Sequence, residues 1–315
     1  MTPSPAPAHA PGTTVPALAI ALSAILWGTW WWPMRMLEAQ GLPGDWASLV
    51  MYAAATAALL PLAWRRRARL RAGGVLLLAV GGSLGCVLFL WNLAVLLGDV
   101  VRVTLLFYLA PVWATLLGRL ILKDRVRPLR AVSIAFGLGG AAVVLGFPDA
   151  TGLPLPRGAG DWLGVAAGAL FALSLTLARL GATRRPDGGT EGLGGFEQSF
   201  VAFAVAAVGA GAVAALAPMA EPTGAQIVAS LPLAALIGIL WLLPQTFLVL
   251  WGAARFDPGR TAILMLLEVV AAAVSATLGA GEAFVWRDGI GCALVLLAGV
   301  LEARDMQRAS VTVPA

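Results

Sequence analysis

Charge is what this chain has least of. Only 12% of its 315 residues are Asp, Glu, Lys or Arg, while 60% are hydrophobic, against roughly a quarter charged and half apolar in soluble domains. Composition alone excludes a water-soluble globule. Histidine occurs once, as His9, which removes histidine proton relays and argues against a His/Cys metal site. The two cysteines, Cys86 and Cys292, both fall inside apolar runs; they argue against a disulfide framework and read as small packed thiols. No GxxxxGK[ST] occurs, so the chain has no P-loop of its own. No cofactor and no metal is expected.

Long apolar runs take the place of charge. Mean hydropathy is +0.88, and runs of about 20 residues, enough at about 1.5 Å per residue to cross a core of roughly 30 Å, recur along the chain. Ten spans are expected: Val15 to Met36, Asp45 to Trp64, Gly74 to Leu97, Val103 to Ile121, Ala131 to Phe147, Trp162 to Leu180, Phe196 to Ala217, Leu231 to Ala253, Thr261 to Ala280 and Gly289 to Leu301. Their continuity marks helices rather than alternating barrel strands. Residues 1–14, MTPSPAPAHAPGTT, lack a basic n-region and precede a run too long for a signal-peptide core, so they read as a disordered tail before a retained helix. Residues 303–315 form the opposite tail.

Orientation follows from the basic residues. With the N-terminus inside, seventeen of the 21 Lys and Arg fall in cytoplasmic segments, leaving Arg35, Arg102, Arg157 and Arg287 outside. This bias predicts a multi-pass protein of the cell membrane with both termini cytoplasmic. The net charge of +5 then needs no nucleic acid, because RRRARLRA sits where anionic headgroups attract it.

The chain also resembles itself. Shifted by 158 positions, Asp99 to Arg102 lies on Asp257 to Arg260, Leu105-Leu106 on Ile263-Leu264, and Asp124 on Glu282; shifted by 144, Trp27 lies on Phe171, Trp30 on Ser174, Trp32 on Thr176 and Arg35 on Arg179. Two five-helix units are expected, 15–147 and 148–302. Five is odd, so two copies in one membrane have opposite topologies, the plan of secondary transporters with a site at the repeat interface.

LWGTWWWPMRM in helix 1, LLFYLAPVWATLLGRLILKDRV from helix 4, GALFALSLTLARL in helix 6 and LLEVVAAAVSATLGAGEAFVWRDGIGCALVLLAGV over helices 9 and 10 resemble the EamA family of the drug/metabolite transporter superfamily. The likeness runs from residue 15 to 302. It implies an all-α protein of ten transmembrane helices in two inverted five-helix repeats, around a central cavity lined mainly by helices 1, 3, 4, 6, 8 and 9. Relatives export amino acids and other metabolites or take up small organics. One departure concerns helix 9, where the family commonly has proline after the glutamate: here Val269 follows Glu268. Any proline break there is absent, although Pro111 keeps one in helix 4.

Glu268 is the sharpest site candidate. About eight residues into helix 9, it lies near mid-membrane, where a charge costs roughly 3 kcal/mol or more and normally faces a cavity. It is the proton-coupling candidate, or a seat for a cationic group of the substrate; the competing reading is a packing hydrogen bond. In helix 1, Trp27, Trp30, Trp31 and Met34 share a face at i, i+3, i+4 and i+7 and are assigned to the cavity, with Trp32 facing lipid. Gly28 and Pro33 weaken and kink that helix. Trp91 and Asn92 in helix 3, Tyr108 before Pro111, Ser174 in helix 6, and Trp241 and Gln245 in helix 8 complete the substrate-binding set, each also readable as packing. Asp99 and Asp257 read as helix N-caps. Arg35, Arg102, Arg179 and Arg260 are gate candidates, two at each mouth.

The expected function is a secondary transporter, an exporter of a small amphipathic or aromatic metabolite such as an amino acid, working by alternating access with or without protons. No catalytic residues are assigned. A facilitative uniporter or channel is the alternative, and a membrane-embedded enzyme the weaker one, for it needs a catalytic constellation that the sequence lacks. The partners are a small-molecule substrate and the lipid bilayer; the sequence is compatible with a monomer and does not fix the oligomeric state.

Overall fold

The computed structural model describes residues 14–124, 126–146, 155–183, 193–216, 221–280 and 283–311. The tail 1–13 with His9, together with Arg125, Arg184, Arg185 and Glu282, lies outside the described residues. Fourteen α-helices follow in order: α1 Thr14–Gly28, α2 Trp31–Glu38, α3 Gly44–Arg65, α4 Arg67–Leu97, α5 Val100–Phe107, α6 Ala110–Leu117, α7 Pro128–Val144, α8 Ala159–Thr183, α9 Gly195–Leu216, α10 Gly224–Ile237, α11 Leu243–Ala253, α12 Pro258–Met265, α13 Leu267–Ala280 and α14 Trp286–Val311. Single π-helical turns, Gly118–Leu122 and Gly238–Leu242, extend α6 and join α10 to α11.

Among the described residues, eight stretches are long and apolar enough to cross a membrane, including the broken pairs Thr14–Glu38, Val100–Leu122, Gly224–Ala253 and Pro258–Gly279. The outward faces stay apolar: Val75 and Leu278 are 83% exposed and Val208 75%. A surface of that kind is stable against lipid and not against water. The protein is a multi-pass membrane protein.

Local chemistry explains where the helices start and stop. The Asp99 and Asp257 carboxylates accept the backbone N–H of Arg102 at 2.9 Å and Arg260 at 3.1 Å, so both DxxR segments are caps of the same kind. Thr223 and Gln226 form a reciprocal capping box that starts α10 at Gly224, seven residues before the expected Leu231. Between α1 and α2 the bonds Trp30 N–H to Trp27 O and Trp32 N–H to Thr29 O tighten the chain, and Pro33 falls in the first turn of α2, where its missing donor costs little.

Helix 9 corrects an expectation. Without a proline after Glu268, the helix still breaks at Leu266: Leu266 N–H bonds to Ile263 O and Val269 N–H to Leu266 O, three residues back. A new helix then begins with Glu268 in its first turn, where a carboxylate suits the positive end of the dipole. The equivalent break between α5 and α6 falls at Tyr108 and Leu109. These positions are 158 apart, the same spacing as the two caps.

The two broken helices run antiparallel across each other. Gly118, at the end of α6, faces Pro258 at the start of α12, and Tyr108 faces Glu268. Both pairs of residue numbers have the same sum, as an antiparallel register requires, so the two breaks meet at one crossing. Elsewhere small residues set the spacing. On α8, Gly160, Gly164 and Gly168 lie against the backbone of Gly98, Val103 and Phe107, where a methyl group would strike main-chain atoms.

Candidate functional site

Where α1, α2, α3, α4, α5, α11 and α13 converge they leave a cavity of about 660 Å³, within the roughly 300–1,000 Å³ typical of small-molecule sites. Trp27, Trp30, Trp31 and Met34 all line it, and Trp32 does not. Trp32 is 55% exposed, although its ring also packs edge-on against Trp241 at 6.1 Å. The break after Gly28 turns this face inward, and Gly28 permits it: a Cβ there would run into the Glu268 carbonyl and the Ala271 side chain. Trp31 is fixed from both sides. Its Nε1–H donates to Ser275 Oγ at 2.9 Å, and the Arg35 guanidinium lies 5.1 Å from its ring centroid.

Glu268 and Tyr108 lie in the wall, side chain facing side chain across the helix crossing. Trp91, Asn92 and Gln245 line the cavity as well. Asn92 donates to Ser48 Oγ at 3.0 Å, and the Tyr52 hydroxyl donates to Leu88 O at 3.4 Å. Gln245 sits fully buried at the inner end. Ser23 Oγ–H holds its backbone carbonyl at 2.7 Å, while among the described residues neither side-chain amide atom has a partner. The Trp27 indole N–H is likewise unpaired.

Two expected residues lie elsewhere. Ser174 is fully buried and donates to Val80 O at 3.1 Å, and Trp241 donates from Nε1 to Leu26 O at 3.0 Å; neither lines the cavity. Helix 6, here α8, contributes no lining residue, because its glycine face packs directly on α5 and Phe171 closes against Phe107 at 5.9 Å. Helix 2, here α3, lines the wall instead through Gly44, Ser48 and Tyr52. Thr104 and Phe107 were also missed. The polar positions at i and i+4 in α3, Ser48 and Tyr52, were the available signal.

The gate candidates are engaged with neighbours. Arg102 reaches Asp161 at 3.5 Å, Arg179 donates to Ala254 O at 3.0 Å, and Arg260 reaches the buried Glu302 at 2.9 Å. Glu302 also faces Arg130 at 3.8 Å, and Arg130 meets Asp257 at 3.1 Å. Beside this cluster, burial and the adjacent Asp257 carboxylate push the Asp124 carboxyl above the usual carboxylate range, against a smaller opposing pull from Arg130 and Arg179.

A second cavity, of about 430 Å³, opens at the other end, lined by Arg66, Arg69, Arg179, Arg255 and Glu197 among others. On α11, Gln245 lines the first cavity, and Phe247 and Leu250 line the second. Two to five residues, about 3–8 Å of helix, therefore separate them.

Residues 14–146 match the model of the EamA-like transporter family. No curated protein matches the chain. Twenty-eight chains of known structure match; one crystal structure is 21% identical, covers 93% of this chain and 98% of its own, and superposes with a TM-score of 0.70. At that identity the likeness shows the fold.

Proposed function

From the match of residues 14–146 to the EamA-like transporter family, we propose a secondary carrier that moves a small amphipathic or aromatic organic molecule by alternating access. One observation carries the reading: an acid and a phenol, Glu268 and Tyr108, meet at two crossing helix breaks in the wall of an aromatic cavity. Broken helices lining a midplane site are the working parts of inverted-repeat carriers. The matching caps at Asp99 and Asp257, the breaks 158 residues apart and the antiparallel crossing support two inverted units over 15–147 and 148–302. Cavities at both ends, separated by a thin packed layer, support alternate opening.

In this reading Trp27, Trp30, Trp31, Trp91, Asn92, Tyr108, Gln245 and Glu268 contact substrate. Glu268 couples transport to protons, net movement is outward, and both termini are cytoplasmic in the cell membrane. An embedded enzyme would need a second acid beside Glu268, and among the described lining residues Glu268 is the one carboxyl group.

Reconstitution in proteoliposomes tests the carrier. Flux of an accepted ligand should saturate and show counterflow, and Glu268→Gln should abolish or flatten its pH dependence. Linear flux without counterflow would make the protein a channel. An unaltered pH profile in Glu268→Gln would remove Glu268 from coupling.

A further inference from the structure

The cavity lining is electrostatically one-sided. Among the described lining residues Glu268 is the one carboxyl group, Tyr52 and Tyr108 are phenols, and there is no Lys or Arg. The nearest mouth cations lie outside that lining: Arg35 stacks on the Trp31 ring and is exposed, while Arg102 is paired with Asp161. A substrate carboxylate in this site would therefore give up water beside the Glu268 carboxyl and find only neutral donors, the unpaired Trp27 Nε1–H and Gln245 Nε2–H, where a guanidinium would be needed to offset its charge. A substrate ammonium would meet the opposite. Glu268 offers it a charge-assisted hydrogen bond, and the faces of Trp27, Trp30, Trp31 and Trp91 offer cation–π attraction. The unpaired amide of Gln245 at the inner end adds an acceptor for one more N–H.

Resting on the carrier reading above, we infer that this cavity selects a protonated amine on a compact apolar or aromatic body, and rejects molecules bearing a carboxylate. The preference excludes free amino acids, whose carboxylate has no cationic partner in the wall. An aralkyl monoamine satisfies each feature: one cation for Glu268, one ring for the tryptophans, and no anion.

Four size-matched probes decide the matter on purified full-length protein in detergent, read by quenching of tryptophan fluorescence: 2-phenylethylamine, 2-phenylethanol, phenylalanine and 3-phenylpropionate. The amine should bind at least about tenfold more tightly than the alcohol, and the alcohol more tightly than either carboxylate. In Glu268→Gln the amine's advantage should vanish while alcohol binding persists, which also shows that the variant is folded. Should that variant not fold, the ranking on the parent protein decides alone. Phenylalanine binding as well as the amine, no probe binding at all, or an unchanged ranking in folded Glu268→Gln overturns the inference. Counterflow with the best-binding probe separates the two readings: tight amine binding without exchange sinks the carrier and leaves the cation preference standing, whereas saturable exchange of phenylalanine in preference to the amine does the reverse.

Discussion

Replacing Glu302 by leucine takes a shared carboxylate away from two guanidinium groups inside the protein, of which Arg130 keeps Asp257 at 3.1 Å. The carboxylate, 1% exposed, receives Arg260 Nε at 2.9 Å and Arg130 Nε at 3.8 Å, and the Arg130 side chain is itself only 3% exposed. At an effective dielectric near 20, contacts of those lengths are worth about 6 and about 4 kcal/mol of gross attraction. Desolvation costs several kcal/mol per ion, so the intact group nets close to zero. Removing the acid deletes the attraction and keeps the desolvation, so the loss should be about 3–5 kcal/mol. Arg130→Met removes one of the two cations that Glu302 holds, and the double variant should be about 1–3 kcal/mol more stable than the two single losses summed. The four chains of this cycle are compared by the temperature at which full-length protein in detergent loses its monodisperse peak on size-exclusion chromatography. Additive losses, or a Glu302→Leu chain as heat-resistant as the parent, would refute the reasoning.

Asp124 supplies a pH test. A carboxyl whose pKa is raised by folding favours the folded state while protonated; its contribution is complete below its ordinary value of 3.8 and is lost as pH rises through the raised one. Asp124→Asn should remove that slope and melt higher than the parent at neutral pH; an identical pH dependence in both chains would count against it. Gly28→Ala should cost about 1–3 kcal/mol and weaken ligand binding, because its methyl group meets the Glu268 carbonyl and Ala271. Gly82→Ala, with nothing within 4 Å of its Cβ, should be neutral or stabilising by up to about 1 kcal/mol. Equal melting temperatures for these two variants would contradict the packing at Gly28.

Local periodicity made part of this legible. The i, i+3, i+4, i+7 stripe of helix 1 depends only on helical geometry, and it does line a cavity; a binding role for it is what the probe experiments test. The Asp99 and Asp257 caps were readable for the same reason, since each acts over three residues. Breaks were legible only where proline marks them. Pro111 pointed to one, whereas the break at Leu266 rests on backbone turns that leave no sequence signature. Long-range placement was the least readable. Glu302, one residue past the last expected span, is buried between two arginines from other helices, a placement no local pattern marks. Ser174 aligned with Trp30 in the repeat, but the glycine face of α8 packs too closely for any cavity to reach it.

The claim on which most depends is a single pathway with two entrances, open to opposite sides of the membrane. Leu96 lines the first cavity and Ala182 the second. In a background with Cys86→Ser and Cys292→Ser, Leu96→Cys and Ala182→Cys can be exposed in turn to a membrane-impermeant maleimide on sealed vesicles of known sidedness. Leu96→Cys should react only from outside, Ala182→Cys only from the cytoplasmic face, and 2-phenylethylamine should slow the first reaction. Labelling of both positions from the same face would contradict it.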